Sequence, residues 1–521
     1  MRRAGLAFAL ALCLAGTHAA VAQRVAGDAG FPLDDAWIHA RLARNLAEGR
    51  GFSFNPEEPA AVSSAPLWTL LLSVPAAAGI PFPWAAYLAG AAGAATLSLL
   101  GFRLAERATG DRQAALLCGG LLLGTHPFPW SIASGMEPGL AAALVLATLL
   151  AALSGRDGIG FLLASAAGLA RPELCLMPAF VLLDALGRVR PPGPSRIARL
   201  GLAALAATAA PFLIDRLLTG RYMFASLAAK VGRHGVIAAF REGRADLAPS
   251  ILAVNLPIYL VPLLRGLARD NVVLLALAPV GMWLLASRGR RSHLPWMVFI
   301  LLPSAMAVLA PFGGPEFHEQ RYIGPVVAMV VVAGCVAWAA LSTRSRLRGL
   351  RFPALVLMAA LSAWGSAAGL LRYAREVKNI NDMQVKVGRW LLERPGGPGT
   401  IAANDIGAIG FVTRSPILDL TGLATPEVIP YLRRPAAPGS SNRGWNGASE
   451  SGLLEFLRAR RPDYVAVFPG WYPSRFFREG LGQEVFRVDL DDNVICGDRS
   501  MIVYRPEWDG PEALRGEGSG R

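Results

Sequence analysis

Phe31-Pro32-Leu33-Asp34-Asp35-Ala36-Trp37-Ile38-His39-Ala40-Arg41-Leu42-Ala43-Arg44-Asn45-Leu46-Ala47-Glu48-Gly49-Arg50-Gly51-Phe52-Ser53-Phe54-Asn55-Pro56 is the stretch on which the reading turns. Asp34 or Asp35 can cap a helix that starts there. Asp34, Ile38, Arg41 and Asn45 then share one helical stripe, and Gly49 and Gly51 end it. A carboxylate, a guanidinium and an amide therefore line one face. The same spacing also suits a capped amphipathic surface helix with scattered ion pairs.

The surroundings of this stretch are apolar. The chain has 521 residues, 53% hydrophobic and 17% charged, where an ordinary soluble domain carries about 25% charge. Residues 1–371 hold 31 Lys+Arg against 18 Asp+Glu, and residues 372–521 hold 20 against 19. The first part reads as a polytopic membrane domain and the last 150 residues as a soluble domain. A secreted protein, a cytosolic enzyme, a disordered chain and a coiled coil are excluded. The net charge of +14 comes from arginines in short loops between apolar runs, the pattern of the positive-inside rule rather than of nucleic-acid binding. Five cysteines, four of them in apolar segments, give neither a disulfide framework nor a CxxC metal site.

Apolar runs lie near 4–22, 83–104, 113–130, 139–154, 159–170, 174–187, 197–218, 271–287, 295–311, 323–342 and 352–371. About 11 transmembrane helices place the arginine clusters at 103–112, 188–199, 288–291 and 344–351 in the cytoplasm. The first run is read as a retained helix, with a cleaved signal peptide as the alternative. Runs 67–80 and 250–264 would break this parity and are read as interfacial or re-entrant. The expected domains are a transmembrane domain, 1–371, with exported loops 23–66 and 219–249, and an exported α/β domain, 372–521.

Asp34-Asp35-Ala36-Trp37-Ile38, Arg41, Asn45-Leu46-Ala47, Gly49-Arg50-Gly51, Asn55-Pro56 and Ser64-Ala65-Pro66-Leu67-Trp68 together resemble the first periplasmic loop of bacterial GT-C glycosyltransferases. The pattern is similar to that of the actinobacterial cell-wall arabinofuranosyltransferases and related mannosyltransferase-like membrane proteins. It departs at Val62-Ser63, which lack the Gly-Tyr of that family. Gly135-Met136-Glu137, Arg171-Pro172-Glu173, Gly220-Arg221-Tyr222 with Lys230, His318-Glu319-Gln320-Arg321-Tyr322, Asn404–Gly410 and Leu418–Leu423 resemble further elements of these enzymes, in the same order. The resemblance implies a GT-C-like fold and transfer of a sugar from a polyprenyl-phosphate donor to an envelope glycan or lipid acceptor. It implies a multi-pass protein of the cytoplasmic (inner) membrane, with active site and C-terminal domain on the exported face. It also implies inverting displacement with Asp34 as general base.

That chemistry needs a base for the acceptor hydroxyl, contributing about 10²–10⁴-fold, and fixed cations for the leaving phosphate. Asp35 is the second candidate base, or with Asp34 a site for Mg²⁺ or Mn²⁺; helix capping alone would also account for it. Arg41 is the expected first-loop partner of Asp34, or a phosphate contact. Arg321, at the head of an apolar span, is a phosphate ligand or a snorkelling anchor, since a charge within a span costs about 2.5–3.5 kcal/mol. His318 and Lys230 are candidates for the same phosphate. An interface histidine and a solvated lysine are the plainer readings. Glu137 either orients the acceptor or pairs with Arg171. No Walker A match occurs, so no nucleotide cofactor is expected.

The tail reads as a small α/β domain with helices at 383–394 and 451–461. Its five strands are expected near 400–403, 416–420, 463–468, 484–489 and 500–505. Asp405 and Asp419 fall at strand ends, and Trp445 and Trp471-Tyr472 either stack on sugars or pack in the core. Rival functions are a transporter or flippase of lipid-linked sugars, which needs polar groups buried in mid-span, and a non-catalytic glycan-binding relative.

Overall fold

A computed structural model of the chain describes residues 2–55, 58–59, 62–187, 193–220, 236, 239–240, 243–287, 291–309, 314–341, 348–432 and 448–508. It divides into two compact units. One comprises residues 1–21 and 64–373, the helical unit; the other comprises 22–63 and 374–521, the loop–tail unit. The segment 22–63 thus shares a unit with the tail.

The protein is a polytopic α-helical membrane protein with a small C-terminal sheet domain. Among the described residues six helices are long and apolar enough to cross a membrane: Arg3–Ala26, Trp84–Thr109, Pro194–Thr219, Ala245–Ser287, Phe317–Leu341 and Arg348–Leu392. Shorter apolar helices are Pro66–Ala77, Arg112–Gly124, Pro138–Leu153, Asp157–Ala170 and Leu294–Val308. Helices of that length fall short of the roughly 30 Å hydrocarbon layer and persist where protein surrounds them. Gly324–Leu341 packs against Ala248–Ser287, Pro138–Leu153, Arg112–Gly124 and Trp84–Thr109 and is buried from Gly324 to Ala339.

Among the described residues each of the eleven apolar runs lies mainly on helix, the run 113–130 being broken between Gly124 and Phe128. The two runs set aside in the sequence are helical as well. Residues 67–80 fall largely within Pro66–Ala77. The 250–264 run continues into the next span as one helix, Ala248–Ser287, interrupted at Asn271. There φ is −164° and ψ is 89°. The Asn271 amide donates to the Met358 carbonyl at 2.9 Å, and its side-chain oxygen accepts from the Leu274 N–H at 3.2 Å. The side chain thereby satisfies the Leu274 N–H just past the interruption and ties it to the helix Arg348–Ile380. Hydropathy alone cannot separate a continuous kinked helix from a span preceded by a re-entrant segment.

In the loop–tail unit the sheet order is Ile417–Asp419, Ile401–Ala403, Tyr464–Val467, Ser500–Arg505, Gln483–Asp489. The first three strands are parallel and the last two antiparallel additions. All five expected strands are present. Alternate residues face opposite layers. Ile401, Ala403, Ala466 and Val503 pack with Ile38, Leu42 and Phe54 of the first loop and with Met383, Val387 and Ile409. Ala402, Val465 and Ile502 pack with Leu453, Leu457 and Phe477 on the other side. The loop therefore supplies part of the tail's core.

Candidate active site

The helix Asp34–Ala47 begins at Asp34, and no side chain caps its N-terminus. Asp34 caps a different helix. Its carboxylate accepts the backbone N–H groups of Gly407 and Ala408, each at 2.7 Å, at the start of Gly407–Thr413. The same face reads the rest of that segment. Arg44 donates to the Phe411 carbonyl at 3.0 Å and lies over the Phe411 ring. Arg41 donates to the carbonyls of Phe54 at 2.7 Å and Ser415 at 2.8 Å. The Asn55 amide donates to the Ile417 carbonyl and its oxygen accepts the Ile417 N–H, both at 2.9 Å. Asn45 donates to the Ser53 carbonyl at 2.8 Å, which fixes the turn between helix and strand. A carboxylate at the N-terminus of Gly407–Thr413 and arginines toward its C-terminus oppose the helix dipole. A Cβ at Gly407 would overlap the Asp34 carbonyl, and one at Gly410 the Arg41 guanidinium. These two glycines permit the close approach.

Arg41 is 1% exposed. Its hydrogen bonds to two main-chain carbonyls clamp the fold. Burial, then the neighbouring Arg44 and Arg50, pull its pKa down to about 9.

Asp34 belongs to a group of carboxylates. Burial pushes its pKa up to about 6 against the two N–H bonds, with the nearby Asp35 and Asp419 carboxylates adding to the rise. Asp405 is raised well above the ordinary range by burial and then by Asp34, while the Gln384 amide donates to it at 2.8 Å. Asp419 is raised by burial, opposed by bonds from Thr421, Leu423 and Ala424. Asp405 and Asp419 lie past the carboxyl ends of parallel strands, where α/β sheets place ligand sites. Each Asp34 oxygen accepts one backbone N–H and keeps a second lone pair. Among the described residues no three His, Cys, Asp or Glu side chains are grouped to hold a metal ion. Trp471 donates its indole N–H to the Gly497 carbonyl at 3.1 Å and Tyr472 is buried, so both serve packing. Trp445 lies outside the described residues.

The helical unit holds a second polar constellation. Arg171 pairs with Glu137 and Glu173 and lies 4.5 Å from the Tyr322 ring centroid. Arg321 lies 4.9 Å from the same centroid and donates to the Tyr322 hydroxyl at 2.9 Å. Glu137, Arg171 and Arg321 are all buried. Of the two readings for Glu137, the ion pair with Arg171 is the one formed. His318 stacks on Phe317 at 3.7 Å between centroids. His318, Glu319 and Gln320 all have positive φ, 47°, 56° and 58°. A left-handed residue costs about 1–2 kcal/mol when it is not glycine. The turn is held by the Arg372 guanidinium on Glu319 at 2.8 Å, His126 at 3.6 Å, and a Gln320 amide donating to Asp270 at 2.7 Å. It delivers Arg321 to the start of the central helix. Sequence reasoning missed the turn, because no Gly or Asn marks it. Lys230 lies outside the described residues.

Residues 375–504 match a domain of unknown function, DUF8728. No curated protein matches the sequence significantly. Among solved structures the chain is similar to ArnT from Cupriavidus metallidurans bound to undecaprenyl phosphate. The TM-score is 0.57 at 11% identity, over 96% of this chain and 97% of that one. It is also similar to the archaeal oligosaccharyltransferase AglB from Archaeoglobus fulgidus, in complex with an inhibitory peptide and a dolichol-phosphate. There the TM-score is 0.51 at 13% identity, over 96% of this chain and 75% of that one. The fold of this chain is the GT-C fold.

Proposed function

We propose that the protein is a membrane glycosyltransferase that moves a sugar from a polyprenyl-phosphate donor to an envelope glycan or lipid. The observation that carries this reading is Asp34: a first-loop carboxylate in a GT-C fold, oriented by two backbone N–H groups, with its pKa raised to about 6. A base of that pKa is ionised at neutral pH and still basic enough to take a hydroxyl proton as the transition state forms. The acceptor oxygen attacks the anomeric carbon, its proton passes to Asp34, and the anomeric C–O bond breaks with its electron pair on polyprenyl phosphate. The anomeric centre inverts. Arg321 is assigned to the leaving phosphate, with His318 and Lys230 as further candidates on the sequence pattern. The lipid carriers in the two similar structures, undecaprenyl phosphate and dolichol-phosphate, support a lipid-phosphate donor. The arginine-rich loops support a cytoplasmic-membrane location with the tail exported. The sequence resemblance to arabinofuranosyltransferases makes pentose donors the first to try. No step is routed through Mg²⁺ or Mn²⁺. Loss of turnover on chelation, restored by either ion, would bring a metal on Asp34 and Asp35 back into the scheme.

The test is release of polyprenyl phosphate from a panel of polyprenyl-phosphate sugars by membranes containing wild type or Asp34→Asn at matched expression. Turnover with one donor, lost in the variant, is the expected result. Full turnover in the variant would overturn the assignment of the base and point to Asp35.

The strongest candidate residue for the transporter reading lies near a span end rather than in mid-span. Asp215, buried in the helix Pro194–Thr219, has no hydrogen-bond partner for either carboxylate oxygen among the described residues. Labelled lipid crossing the bilayer without sugar release, and stopped by Asp215→Asn, would support that reading over transfer.

A further inference from the structure

A cavity in the helical unit lies away from every residue assigned above. It is a trough of about 900 Å³ between Arg112–Gly124 and the first turns of Arg348–Ile380. Leu116, Leu121, Trp338, Phe352 and Leu355 are among its apolar walls, and its lining is mostly apolar. Gly120 and Gly124 face it without side chains, and a Cβ at Gly120 would meet nothing within 4 Å. One end is polar. Gln113, Arg348 and Arg351 line it there, and Arg112 adjoins Gln113 in sequence. Arg348 and Arg112 are exposed. Arg351 lies 4.4 Å from the Trp338 ring centroid and pairs with Asp111 at 2.7 Å.

We infer that this trough binds an anionic phospholipid of the surrounding bilayer, acyl chains along the leucine and glycine floor and phosphate at the arginine rim. The charge pattern favours that occupant. Three arginines against one aspartate leave a net positive rim. The rim closes the one polar end of a channel whose other walls suit hydrocarbon. These arginines belong to loops that the positive-inside rule puts on the cytoplasmic side, where anionic lipids attract basic side chains. The proposed sugar donor would be used on the exported side, so this site is separate from the transfer reaction and stands whether or not that reaction is confirmed.

The test uses the full-length protein in detergent, titrated with phosphatidylglycerol, phosphatidylcholine or undecaprenyl phosphate. Lipid retention is read by native mass spectrometry and protection by thermal unfolding. Phosphatidylglycerol is expected to bind about tenfold more tightly than phosphatidylcholine. Arg348→Gln should weaken it about fivefold, the weight of one surface cation near anionic lipid. Gly120→Leu fills the trough without touching the rim, and replaces glycine by a better helix former, so it should fold and lose the bound lipid. Equal retention of phosphatidylglycerol and phosphatidylcholine, or undiminished retention in Gly120→Leu, would overturn the assignment. Undecaprenyl phosphate displacing phosphatidylglycerol from wild type but not retained by Gly120→Leu would also overturn it, in favour of a substrate-lipid site.

Discussion

The two polar constellations are built on opposite principles. In the loop–tail unit the charged side chains spend themselves on backbone: Asp34 on two N–H groups, Arg41 and Arg44 on carbonyls. In the helical unit they spend themselves on one another, Arg171 between Glu137 and Glu173, and Glu319 between Arg372 and His126. A motif that looks catalytic can therefore be largely a folding instruction. Arg41 and Asn55 recognise a chain segment, 407–417, and leave Asp34 as the member with chemistry to spare. Charges set among apolar helices find free backbone only at helix ends, as Asp184 does at the His293 N–H, because helix interiors satisfy their own; elsewhere they turn to side-chain partners or ligands.

The largest break should come in the helical unit. Arg171→Ala strands two carboxylates, one of them fully buried, and should cost about 3–5 kcal/mol, read as loss of folded protein in detergent on heating. Arg41→Met should cost less, about 1.5–3 kcal/mol for its lost charged hydrogen bonds. It should raise protease sensitivity in the loop–tail unit while the helices keep their far-UV signal. Equal losses from the two variants would erase the distinction between backbone-bound and side-chain-bound charges.

A pH titration sharpens it further. Asp34 titrates near 6 when folded against about 3.9 in an unfolded chain. Asp405 and Asp419 shift the same way. The folded unit then binds more protons than the unfolded chain across that window. Stability should be full below about pH 4 and fall by about 3 kcal/mol for Asp34 alone as pH rises through 6. Unfolding midpoints at pH 4.5 and 7.5 check this, and Asp34→Asn should flatten the difference. In a turnover assay the same group predicts activity rising with pH through about 6.

The smallest effect concerns the left-handed turn. His318→Gly should gain about 1 kcal/mol, since glycine adopts φ of 47° without strain. A loss in that variant would mean that the His318 ring stacked on Phe317 matters more than the backbone.

The helices and all five strands were legible because apolar periodicity is a local signal. The helix at 34–47 was legible for the same reason, with Gly49 and Gly51 ending it. The cap made by Asp34 was not. A helix-starting Asp points to its own helix, and nothing local points to Gly407, 373 residues away. The glycines at 407 and 410 were visible, but their purpose depends on what packs over them. The turn at 318–320 carries no signal of its own, because ion pairs from distant helices hold it. The continuity of 250–264 with the next span was not legible, because an apolar run carries no mark of whether its helix ends, and Ala248–Ser287 bends at Asn271 and continues.

The cap at Asp34 also sets a timetable. The first loop leaves the ribosome early, and its partner segment leaves more than 350 residues later. At about 5–20 residues per second that is a wait of roughly 20–70 seconds. Throughout it Leu42 and Phe54, which end up fully buried, have no tail to cover them. The loop–tail unit therefore completes only after the intervening helices have been inserted. A chain that stalls or is cut before residue 407 leaves an apolar, partnerless loop for quality-control proteases to recognise.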